Sequence, residues 1–115
     1  MKVDEQLTIS VDRVANTVVV TLAGEIGLAV EERIRDAVAA AVSSTGIGAM
    51  RVDASAIRFL DASGVRSLLL ARQTAEDHGL SFTLGISSPG PVCRILALCG
   101  LTEWFADSSS AAHVA

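Results

Sequence analysis

The chain begins in alternation. In "QLTISV", Leu7, Ile9 and Val11 fall on one side of an extended segment, the period of a half-buried strand. "VDRVANTVVVTLAG" continues into a Val-rich second strand, with Asn16-Thr17 read as a hairpin turn and Gly24 as the strand's end. From Leu28 to about Ser44 the period changes. Val30, Ile34, Ala37, Val38, Ala41 and Val42 form one helical stripe, with Glu31, Glu32, Arg35 and Asp36 opposite, and "STGIG" stops the helix.

"AMRVDAS" predicts a short third strand, and "AIRFLDAS" a connection that carries Ile57, Phe59 and Leu60 into the core. A second helix is predicted from about Ser63 to His78, with Val65, Leu68, Leu69 and Ala75 inward and Gly79 just past its end. "SFTLGI" alternates as a strand. "SSPGPVCRILALCGL" opens on helix-start residues and closes on Gly100, with Leu101 placed for a Schellman contact. A short last strand through Trp104 and Phe105 and a small, polar tail from 107 complete the reading. The order β-β-α-β-α-β-α predicts one α/β domain over 1–115, core about 7–105. Its sheet is mixed and mostly parallel, with an N-terminal hairpin and helices packed on it.

Composition narrows the function. The chain of 115 residues has a net charge of −4, and its basic residues are scattered singly. It therefore offers no stripe for a phosphate backbone, and three Phe, one Trp and no Tyr leave little for base stacking. No nucleic-acid partner is expected. Half of the residues are apolar and the mean hydropathy is +0.49, yet no apolar run reaches the roughly 18 residues of a membrane span. The acids of "MKVDEQLTISV" do not suit a signal peptide, so a cytoplasmic protein without membrane contact is expected. Cys93 and Cys99 lack metal-site spacing and are expected as reduced, buried or half-buried thiols.

Catalytic chemistry finds little support. A nucleophile elbow would need Gly two before and two after Ser63, where Asp61 and Val65 stand. His78, at the far end of the same helix, lies some 20 Å from Ser63 by helical rise. Asp53 and Asp61 could meet as a carboxylate pair, but loop satisfaction by Asp53 and helix capping by Asp61 are the simpler roles. "LAGEIG" and "STGIG" match no dinucleotide or phosphate loop. No catalytic residues, metal or cofactor are expected. What remains is Ser63 in a helix's first turn, where free amides and the dipole favour a phosphate, with Gly64 open to a partner's backbone.

Three stretches carry a family resemblance: "LAGEI" after a Val-rich strand, "IRFLDASGVRSLL", and "SSPGPVCRILALCGLTEWF". In this order and spacing the chain resembles a stand-alone STAS-domain anti-sigma factor antagonist, from about Leu7 to Phe105. The "DxSG" block after two apolar residues is the most specific match. The resemblance implies that the chain binds an anti-sigma factor, usually a serine kinase, so that a sigma factor is released. It further implies that the kinase phosphorylates Ser63 to switch binding off and that a serine phosphatase resets it. Asp61, Ala62, Ser63 and Gly64 would form the partner surface together with Glu25 and Gly27. Gly27 departs from the pattern, because the family commonly has an acid at that step. The alternative is a STAS-fold adaptor subunit of a membrane transporter or signalling complex, independent of phosphorylation. Isolated surface apolar residues are normal on any protein and indicate no interface, so the sequence leaves the oligomeric state open.

Overall fold

Strands β1 (Leu7–Val14) and β2 (Thr17–Ile26) form the predicted hairpin, in unbroken antiparallel register from Leu7 opposite Gly24 to Val14 opposite Thr17. The structure is a computed structural model and describes residues 6–101. The strand predicted through Trp104 and Phe105, and the tail, lie outside the described residues. The turn falls one residue earlier than expected, on Ala15 and Asn16. Ala15 alone of the pair has positive φ, at 57°, which matches a type II′ hairpin turn.

The chain continues through a 3-10 turn (Leu28–Val30), helix α1 (Glu31–Val42), strand β3 (Ala49–Leu60), helix α2 (Ala62–Asp77), strand β4 (Ser81–Gly85) and helix α3 (Pro91–Leu98). The sheet order is β1-β2-β3-β4, with β2, β3 and β4 parallel. Val18, Val20, Leu22 and Ile26 of β2 are buried with Met50 and Val52 of β3 and Phe82 and Leu84 of β4. Helices α1 and α2 pack against this side and each other, and α3 packs along β3. The mixed, mostly parallel sheet with its hairpin and helical cover is the expected α/β fold.

Three local expectations need correction. β2 does not end at Gly24 but runs on to Ile26. At Gly24 φ is +121°, and a β-carbon there would collide with the Gln6 carbonyl, so this Gly serves close strand approach. The "AIRFL" connection is strand: β3 continues beside β2 through two register shifts, which break the period of two and disguise it. Phe59 consequently points outward, 52% exposed, rather than into the core.

Both predicted Gly stops hold. The Leu80 amide reaches the Ala75 carbonyl at 2.9 Å around Gly79, and that of Leu101 the Leu96 carbonyl at 2.8 Å around Gly100. This is the Schellman pattern, made possible by positive φ at each Gly.

Candidate functional site

The candidate site forms where β2 and β3 end and α2 begins. Asp61 joins all three elements. Its amide donates to the Ile26 carbonyl at 3.3 Å, and its own carbonyl accepts the Val65 amide at 3.0 Å. Its carboxylate Oδ1 accepts the Gly64 amide at 3.1 Å. With extended backbone at φ −110°, Asp61 is the N-cap foreseen from the sequence, worth about 1 kcal/mol over Ala.

Ser63 is the second residue of α2 and half-buried. Its hydroxyl has no hydrogen-bond partner among the described residues, yet it is not a buried atom. The amides of Ala62 and Ser63 also lack acceptors there, since the cap occupies only those of Gly64 and Val65. A solvent-reached hydroxyl thus stands over unpaired donors at the positive end of a 16-residue helix. Ala62 beside it is exposed.

Gly64 is buried, contrary to the expectation that it opens toward a partner. A β-carbon on it would lie 2.8 Å from Leu60 Cβ and 2.9 Å from the Ile26 carbonyl oxygen. Its missing side chain lets α2 settle onto the strand ends. Gly27 is buried as well, and a β-carbon there would lie 3.3 Å from Asp61 Oδ2. The structure therefore brings Gly27 and Gly64 together at Asp61, two residues before Ser63. Glu25 is engaged elsewhere, 3.6 Å from Arg58 on the exposed surface, and none of its described contacts reaches residues 61–64.

Two features of this end of the sheet escaped the sequence reading. Arg66, one turn into α2, grips Glu31 at the start of α1 through Nη2 at 2.8 Å and Nε at 3.1 Å. The pair ties the two helix N-termini together across 35 positions of chain, a distance no local pattern reveals. Leu28 and Phe59, close in sequence to Gly27 and Asp61, are exposed apolar side chains at 66% and 52%. In the sequence, Leu28 marks only the start of the helical period.

Asp53 does not pair with Asp61, because eight positions of mostly extended chain, on the order of 25 Å, lie between them. Asp53 Oδ1 instead accepts the Ser55 hydroxyl at 2.7 Å and the Ser55 amide at 3.0 Å, within the first irregularity of β3. Burial pushes this carboxyl up, but the two Ser55 hydrogen bonds and the Arg51 charge outweigh it and hold its pKa below 3.8. His78 stays at the other end of α2, its Nδ1 2.9 Å from the Thr74 carbonyl. Cys93 is half-buried as expected, whereas Cys99, the residue that caps the C-terminus of α3, is exposed. Among the described residues no three His, Cys, Asp or Glu gather as a metal site, and no helix is long and apolar enough to cross a membrane.

A family model described as "Mlab, STAS domain" matches residues 9–106. The chain is also similar to the crystal structure of an anti-sigma factor antagonist from Mycobacterium paratuberculosis. That match has 25% identity and a TM-score of 0.74, over 86% of this chain and 82% of the other. The Bacillus cell fate determinant SpoIIAA in its phosphorylated form shares the fold at 24% identity and TM-score 0.62, over 84% and 87%. The antagonist SpoIIAA in its unphosphorylated form does so at 24% and 0.59, over 77% and 80%. No curated protein matches.

Proposed function

Because the chain belongs to the STAS domain family, we propose that it is an anti-sigma factor antagonist switched by phosphorylation of Ser63. Unphosphorylated, it binds an anti-sigma factor that is also a serine kinase, and a sigma factor is released. The likeness to an antagonist over 86% of the chain supports the role. A related fold described in phosphorylated and unphosphorylated forms supports the switch. One observation carries the assignment to Ser63: its hydroxyl is free and solvent-reached above two unpaired amides.

This chain is the substrate of the reaction and not its catalyst. The kinase transfers the γ-phosphoryl group of ATP to Ser63 Oγ and removes the hydroxyl proton. The amides of Ala62 and Ser63 and the helix dipole then favour a group that carries roughly −1.5 to −2 charges. That group rises beside Asp61 in the surface that meets the partner, and repulsion plus lost contact weaken the complex. A loss of about 3 kcal/mol lowers affinity more than 100-fold. Removal of the phosphate by a serine phosphatase restores binding. Asp61 and Ala62 flank Ser63 at the contact surface, while the buried Gly27 and Gly64 act from beneath, Gly27 against the Asp61 carboxylate and Gly64 by seating α2.

The test is binding and labelling with the cognate kinase, for the wild type, Ser63→Ala and Ser63→Glu. The expected result is binding without phosphoryl transfer for Ser63→Ala and weakened binding for Ser63→Glu. Undiminished labelling of Ser63→Ala would remove Ser63 from the mechanism. Equal recovery of a membrane transport complex by all three proteins would establish the adaptor alternative instead.

A further inference from the structure

We propose that the outer edge of β1 is a homodimer interface, pairing antiparallel with β1 of a second copy about a twofold axis through Val11. Among the described residues β1 is an outermost strand of the sheet. Its closing pair with β2 is Val14 and Thr17, across a two-residue turn, so alternate residues from Val14 backwards bond inward. Leu7, Ile9, Val11 and Arg13 therefore turn their N–H and C=O groups outward, and those groups have no partner among the described residues.

Among the described residues, most of the usual protections of an edge are missing here, and the one exposed carboxylate on it, Asp12, faces Ser10 of the second copy in the proposed pairing. β1 has 8 residues, no Pro, no Gly and no register shift, whereas β4, at the other edge, has 5 residues. Val11 and Val14 are 46% and 63% exposed. The Arg13 guanidinium does not guard the edge, because it is drawn back onto three carbonyls. Its Nε bonds Ala15 at 3.0 Å, Nη1 bonds Thr45 at 2.7 Å and Nη2 bonds Gly46 at 3.0 Å.

A second copy fits this edge because the strand complements itself. A twofold axis perpendicular to the sheet keeps the helices of both copies on one side, and it pairs residues of like facing. Centred on Val11, it sets Val11 against Val11, Ser10 against Asp12, Ile9 against Arg13 and Thr8 against Val14. The Ser10 hydroxyl can donate to the Asp12 carboxylate twice over, and about six main-chain hydrogen bonds form. Centring on Asp12 would instead oppose two carboxylates. The result is one continuous sheet of two hairpin-joined halves. Because the axis reverses strand direction, the two Ser63 surfaces lie at opposite ends and both stay free. An edge of this length lies at the small end of specific interfaces, so the dimer is weak, in the micromolar range or above.

Sedimentation equilibrium of the full chain from micromolar to millimolar concentration tests this. The expected result is a reversible monomer–dimer equilibrium whose Kd rises about tenfold or more in Val11→Lys, with the far-UV spectrum unchanged. In a Cys93→Ser, Cys99→Ser background, Val11→Cys should form an intermolecular disulfide on mild oxidation and Thr8→Cys should not. A monomer at millimolar concentration, a dimer indifferent to Val11→Lys, or crosslinking at Thr8→Cys in place of Val11→Cys would each overturn the proposal.

Discussion

Gly64 lies so close to Ile26 that a β-carbon on the glycine would stand 2.9 Å from the Ile26 carbonyl oxygen. The same oxygen accepts the Asp61 amide, so the end of β2, the cap and the first turn of α2 form one joint. Gly64→Ala should cost about 1–3 kcal/mol, the usual penalty of overpacking, because the obstacles are backbone and a β-carbon rather than a flexible tip. Thermal unfolding should show a Tm lower by several degrees. An unchanged Tm would mean that α2 is free to slide away from the strand ends.

Asp61 separates two roles, capping and charge. Asp61→Ala should lose about 1 kcal/mol with the Gly64 hydrogen bond, while Asp61→Asn keeps an acceptor at the same atom and should lose much less. Chemical denaturation of both variants measures the difference. If partner binding falls equally in both, the carboxylate charge and not the cap is what the partner reads.

Ala15 occupies a conformation in which its β-carbon is unwelcome, with φ 57° at the first central position of the turn. Ala15→Gly should therefore raise stability by roughly 1 kcal/mol, the conformational relief exceeding the added entropy of the unfolded chain. A lower denaturation midpoint for this variant would contradict the turn geometry.

Asp53 predicts a pH dependence. Its folded pKa lies below the ordinary 3.8, so the unfolded chain binds this proton more readily than the folded one. The stability it contributes is complete above pH 3.8 and is lost as the pH falls through the lower folded value. Ser55→Ala removes the 2.7 Å hydroxyl bond, returns the pKa toward its ordinary value and should move acid unfolding to higher pH. Acid titration followed by circular dichroism checks this, and an unmoved midpoint would dismiss the Ser55 contribution.

Periodicity made most of the fold legible. The stripe from Val30 to Val42 and the alternation of β2 and β4 each state which face is buried, because one buried side imposes a single period. The second half of β3 was not legible. Two register shifts leave Ala54, Ile57 and Leu60 buried three apart, a spacing that belongs to neither a regular strand nor its neighbours.

For the site, the sequence by itself determined the cap and the hydroxyl: Asp61 and Ser63 act through the first turn of their own helix, and that geometry is local. Tertiary structure alone decided what Gly27, Gly64, Glu25 and Arg66 do. Gly64 is bare because Ile26 and Leu60 lie against it, a side chain on Gly27 would crowd the Asp61 carboxylate, and Arg66 meets Glu31 from another helix. Such contacts depend on which elements become neighbours in space, and no spacing along the chain encodes them.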